Sequence, residues 1–132
     1  MSARGRLLLW APVALLLLYE FWLSSRTGAE MPALGPEFEG KDKLEHAVYF
    51  FLTGLLAVRA ARFGERWGRA KTAVFLLLGA VLWATSDEFH QSFVPDRSVE
   101  IADVLADVAG VALAVSLGEG VLRRLGLDRT IA

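Results

Sequence analysis

Three groups of ionisable and amide residues stand out because each sits inside, or at the edge of, an otherwise apolar stretch. Asp42, Lys43 and His46 fall in KDKLEHAVYFF, where Asp42 and His46 are four apart and share a helix face, while Lys43 points elsewhere. Asp87, Glu88, His90 and Gln91 fall in SDEFHQSFVPDR, with Asp87 one turn from His90 and Gln91, and with Arg97 just after. Asp103 and Asp107 are one turn apart, and Glu100 precedes them on the same face.

Carboxylates and imidazoles are hard and borderline ligands that suit a divalent cation, but the spacing matches neither H-E-x-x-H nor its inversion, so no metal or other cofactor is specified. A carboxylate beside a histidine is also a general acid–base unit. On that reading the catalytic candidates are Asp42, His46, Glu88, Gln91 and Asp103. Lys43 and Arg97 suit a phosphate or carboxylate on a ligand, and Asp87 and Asp107 complete the candidate binding set. A proton relay is a third chemistry, for which four short helices are poor material unless they oligomerise. No nucleophile is nominated: cysteine is absent, and Ser86, Ser92 and Ser98 lie in no recognisable motif.

Plainer explanations compete. Asp42, Glu100 and Asp103 suit the first turns of helices, where the macrodipole favours acids. Lys43 can extend its charge to the headgroups. Asp107 and His46 resist such readings, since each lies among apolar residues and needs a partner. A purely structural polar network tying the helices together therefore competes with a working site.

The elements that position these groups are four apolar segments, Leu7 to Leu23, Leu44 to Ala61, about Ala70 to Phe89, and Ile101 to Leu122. At about 1.5 Å per residue each nearly spans or spans a bilayer core of roughly 30 Å. Pro32, Gly35, Pro36 and Gly40 break any helix in the first loop. Of the 132 residues 55% are hydrophobic, and the mean hydropathy is +0.43. That is more apolar surface than one small soluble core can bury. The net charge of −1 leaves no footprint for nucleic acid. One domain over 1–132 is expected, an all-α integral membrane four-helix bundle.

Loop charge gives the direction. Arg4 and Arg6, then Arg59, Arg62, Arg66, Arg69 and Lys71, then Arg123, Arg124 and Arg129 mark one side. Glu30, Glu37, Glu39 and Asp42, then Asp87, Glu88, Asp96 and Glu100, mark the other. The positive-inside rule then puts both termini in the cytoplasm and all three polar groups at the extracytoplasmic end. Glu20 and Ser24 border the same layer, and the cytoplasmic halves hold only ordinary basic anchors. A cleaved signal peptide is disfavoured by the length of the first segment and the lack of an A-x-A-like site after Leu23. A soluble bundle has no reason to alternate its loop charge. Ala102, Ala106, Gly110, Ala114 and Gly118 form a small-residue stripe, expected to pack within the chain rather than in a dimer.

With DKLEHAVYF at 42–50 and DEFHQSFVPDRSVEIADVLADVAG at 87–110, the sequence resembles the VanZ-like family of small bacterial membrane proteins. Asp42, Lys43 and His46 match that family's first motif, and Asp87, Glu88, Gln91, Pro95 and Arg97 its second. Asp103 and Gly110 match the third, and Ser24 and Ser25 the end of the first helix. Asp107 departs from the pattern, standing where the family commonly has Asn. The resemblance implies a bacterial cytoplasmic membrane location and a cell-envelope role. Through one member it implies a link to low-level resistance to the glycopeptide teicoplanin. Together with the residues it leads to an expected partner besides the lipid bilayer, an amphiphile with an anionic headgroup. Its pocket is expected to carry Lys43 or Arg97 at the rim and His46 and Glu88 deeper.

Overall fold

In the computed structural model, residues 2–30, 35, 36 and 38–128 are described. Pro32, Glu37 and Arg129, used above to read loops and orientation, lie outside them. Four helices make up the fold: α1 (Ala3–Ser24), α2 (Lys41–Arg59), α3 (Arg69–Gln91) and α4 (Ile101–Arg124). A 3-10 turn, Gly28–Glu30, follows α1, and a π turn, Ala60–Gly64, extends α2. No strand occurs among the described residues. All four helices are long and apolar enough to cross a membrane, and large side chains such as Leu15, Leu18, Leu82 and Phe89 face outward. The chain is a multi-pass helical membrane protein.

Each helix runs past its apolar segment into polar sequence. Ser2 caps α1 by accepting from the Gly5 N–H at 3.1 Å, which draws the helix start out to Ala3. Asp42 lies in the first turn of α2, where an acid offsets unpaired N–H groups. Charged ends beyond an apolar core are what a spanning helix needs at the two interfaces.

Helices α2 and α4 both begin at the end that carries the polar motifs, so they run parallel, and they pack most closely. A methyl on Gly110 would stand 2.3 Å from the Ala47 carbonyl oxygen, and one on Gly54 would stand 2.7 Å from Ala114 Cβ. Gly110, Ala114 and Gly118 of the small-residue stripe thus serve contact within the chain. Ala102, at its head, is exposed and takes no part. The core between the helices is built from Val13, Phe50, Val58, Leu76, Val111 and Leu122.

At the opposite, basic end, Arg6 lies 3.7 Å from Glu65, and Arg59 Nε donates to the Leu127 carbonyl at 2.8 Å. Both described chain ends therefore lie beside the α2–α3 connection. The arginines here do more than anchor. Arg62 bonds Glu119 and the Trp67 carbonyl, and Arg69 Nη2 reaches Glu119 at 3.3 Å. Glu119, an acid on the last turns of α4, ties α3 and the end of α2 together, which loop-charge reasoning did not anticipate.

Candidate functional site

The parallel packing of α2 against α4 sets two pairs side by side at the motif end. Lys43 meets Asp103, and one turn deeper His46 meets Asp107. Lys43 Nζ lies 2.6 Å from Asp42, 2.5 Å from Glu100 and 2.9 Å from Asp103. This ammonium holds the starts of both helices in one knot. Outside the spans, Glu100 has its carboxyl held below the usual glutamate range by the Lys43 ammonium. Asp42, expected to share a face with His46, is exposed and pairs with Lys43 instead. Lys43 belongs to the α2–α4 seam because its four-carbon stem carries the charge across it.

His46 Nδ1 stands 2.7 Å from Asp107 Oδ1. The two residues that the sequence left most in need of a partner are partners of each other. A carboxylate on Nδ1 fixes the imidazole's orientation and leaves Nε2 for another group. A carboxylate at 107 can accept an Nδ1 proton through either oxygen, whereas an Asn there could do so only through its carbonyl oxygen.

The end of α3 builds the second half. Glu88 is buried and accepts from the Glu100 backbone N–H at 2.9 Å, satisfying the start of α4, where Glu100 offers no side-chain cap. Gln91 Nε2 donates to Asp87 Oδ2 at 2.7 Å. Gln91 Oε1 in turn accepts from Arg97 Nη2 at 2.9 Å and Nε at 3.3 Å. The turn that returns Arg97 places Asp96 at φ 58°, a left-handed conformation that Asp tolerates better than most residues. His90 turns away from this group. Its Nε2 lies 3.0 Å from Ser25 Oγ, and its ring packs on Phe21 at 4.5 Å between centroids.

Helix α1 supplies what the motifs did not contain. Glu20 is buried, accepts from Trp83 Nε1 at 2.8 Å, and has the Asp87 and Asp107 carboxyls as neighbours. The other Asp87 oxygen, Oδ1, is buried without a hydrogen-bond partner, as is the Ser24 hydroxyl. Tyr49 donates to the Leu16 carbonyl at 2.6 Å and so pins α2 to α1.

Between α1 and α2 lies a cavity of about 480 Å³. Leu23, Leu44, Val48 and Leu52 give it apolar walls, and Glu20, Ser24, Glu45, His46, Gln91 and Arg97 give it polar groups. Leu44, Val48 and Leu52 are also outward-facing, so the apolar wall continues into the lipid-facing surface. Lys43 and Glu88, expected at the rim and in the depth, do not line it. Each is instead committed to the joint between helices, Lys43 by its carboxylates and Glu88 by the α4 start.

All nine sequence-derived site residues thus lie at one end, but in two sets. His46, Gln91 and Arg97 line the cavity, and Asp87 and Asp107 hold them from behind. Asp42, Lys43, Glu88 and Asp103 form the joint. Sequence reasoning placed Glu20 and Ser24 only at the border and missed Tyr49 and Trp83, which look like ordinary interfacial aromatics. For metal binding, the donor set of Asp42, Glu100 and Asp103 has its ligand atoms within 4.8 Å of one another. The Lys43 ammonium is hydrogen-bonded to Asp42 and Glu100, forms an ion pair with Asp103, and supplies the positive charge there. Chemically, the cavity side offers an oriented imidazole, a guanidinium with donors to spare and a buried acid.

No curated protein and no solved structure matches the chain. A family model described as VanZ/LLP1 matches residues 7–122, a range that reaches from the first turns of α1 to the last turns of α4 and takes in every group of the cavity and the joint. The chain belongs to the VanZ/LLP1 family.

Proposed function

We propose that this protein binds an envelope amphiphile with an anionic headgroup in the cavity between α1 and α2, at the extracytoplasmic end of the bundle. The observation that carries this reading is the cavity's composition. Apolar walls continuous with the lipid-facing surface meet a polar inner face of Glu20, Ser24, His46, Gln91 and Arg97. An amphiphile entering sideways keeps its chain against Leu44, Val48 and Leu52 while its headgroup reaches Arg97. Gln91 takes two Arg97 donors and leaves the rest of its five for a phosphate or carboxylate. His46, held by Asp107, offers Nε2 to accept a proton from the headgroup or give one to it.

The orientation rests on the basic loops, which the positive-inside rule assigns to the cytoplasm of a bacterial inner membrane. A reporter active only in the cytoplasm works at either terminus and at Arg66 but fails at Gly35; activity at Gly35 overturns the orientation. Function is read by complementation of an envelope-stress or glycopeptide-sensitivity phenotype in a deletion strain. On this reading Arg97→Lys loses complementation while the purified protein keeps its thermal stability.

A structural role fits the other set better. Lys43 has three carboxylate partners and Glu88 a backbone partner, so neither is open to a ligand. These residues hold the starts of α2 and α4 where the cavity needs them.

A further inference from the structure

A second cavity, of about 430 Å³, opens at the basic end between α2, α3 and α4 and includes Arg62, Arg69, Ala70, Thr72, Ser116 and Glu119 in its lining. We propose that it is an anion site for a phosphate group, separate from the amphiphile site. Three features converge there. The first turn of α3 forms part of the wall, and its Gly68 cap makes no side-chain hydrogen bond, so the leading N–H groups of a 23-residue helix carry the positive end of its dipole into the cavity.

Two arginines share one carboxylate. Arg62 is bound to Glu119 and the Trp67 carbonyl, whereas Arg69 makes only long contacts to Glu119, at 3.3 and 3.4 Å, with its side chain 82% exposed. Arg62 and Arg69 against Glu119 leave one positive charge over, on the arginine with the most donors unused. The third feature points to a ligand. Thr72 is only 1% exposed and lines this cavity, and its hydroxyl has no hydrogen-bond partner. A buried hydroxyl left unpaired is costly, and a phosphate oxygen in the cavity would pair it. Ser116 spends its own proton on the Ala112 carbonyl at 2.8 Å and so gives an anion no donor. The donors left for a ligand are those of Arg69, the first turn of α3 and the Thr72 hydroxyl, which suit a group rich in acceptors.

A lipid phosphate of the adjoining leaflet and free phosphate share this chemistry, and two arms distinguish them. Thermal unfolding of the full chain in neutral detergent is followed against inorganic phosphate, at ionic strength matched with sodium chloride. The same protein in phosphatidylcholine nanodiscs is compared with and without phosphatidylglycerol. Saturable stabilisation by phosphate assigns free phosphate, and stabilisation by phosphatidylglycerol alone assigns the lipid; either supports the site.

Arg69→Ala and Thr72→Val, both expected to fold because one side chain is exposed and the other unpaired, should lose most of the response. Glu119→Gln removes the competing carboxylate and should lower the half-saturating concentration about tenfold. No response in either arm, or an undiminished response in Arg69→Ala and Thr72→Val, overturns the proposal. So does weaker binding by a folded Glu119→Gln. Arg97→Lys serves as the control for the amphiphile cavity and should leave this response unchanged, so the two sites fail independently.

Discussion

The motif end contains two clusters of the same residue types in opposite states. Around Lys43 the groups are closed on one another: one ammonium meets three carboxylates within 2.9 Å. Around His46 and Arg97 they are half-closed. Each group has one protein partner that orients it and capacity left over, beside a cavity of about 480 Å³. A polar network that only stabilises gains from being fully satisfied. One that binds must keep donors and acceptors in reserve. The two clusters show how neighbouring residues of one set of motifs divide those tasks.

The comparison breaks most visibly at Lys43. Lys43→Met keeps the stem but leaves Asp42, Glu100 and Asp103 facing one another, so the melting temperature in detergent should fall further than for any cavity variant. A fall no larger than that of Arg97→Lys would put the joint among the dispensable features. Gly110→Ala tests the same seam sterically. Its new methyl meets backbone at Ala47, which cannot give way as a side chain can. About 1–3 kcal/mol of stability should be lost, as in other overpacked cores, and chemical denaturation measures it.

Variants on the cavity side should act on binding rather than stability. Asp107→Asn keeps the shape and removes the charge that orients His46, so ligand affinity should drop about tenfold or more with a small change in melting temperature. Unchanged affinity would assign Asp107 to the joint. The smallest effect concerns Glu100. The Lys43 ammonium depresses its folded-state pKa, so its contribution to stability is present above the ordinary value of about 4.3. That contribution is lost as pH falls through the lower folded value. Glu100→Gln should therefore be slightly less stable than the parent at pH 7, and the gap should close under strong acid. A gap that persists or widens in acid would contradict the ion pair.

Much of this was legible in the sequence because it follows from periodicity and from cost. Four spans follow from apolar length, and the gathering of the motifs at one end follows from up–down topology. His46 and Asp107 were marked because a buried charge requires a partner. What was illegible depends on which helix neighbours which. The parallel α2–α4 seam assigns Lys43 to Glu100 and Asp103, and no spacing rule within one helix reveals a partner 57 residues away. Glu20 lies in no motif, and its importance arises only because α1 packs where Trp83 can donate to it. Helix boundaries moved outward for a local reason, since the polar residues that end an apolar segment also cap or open the helix.

The central claim, that the α1–α2 cavity holds an anionic amphiphile, is tested most directly by what the protein retains. The full chain, purified in mild detergent from its own membrane, is analysed by native mass spectrometry in an Arg69→Ala background that removes the basic-end site. The parent is expected to carry a bound anionic amphiphile. Val48→Trp, which fills the cavity from its lipid-facing wall, and Arg97→Lys should both lose it while remaining folded. Equal retention by all three proteins, or none by any, would contradict the account.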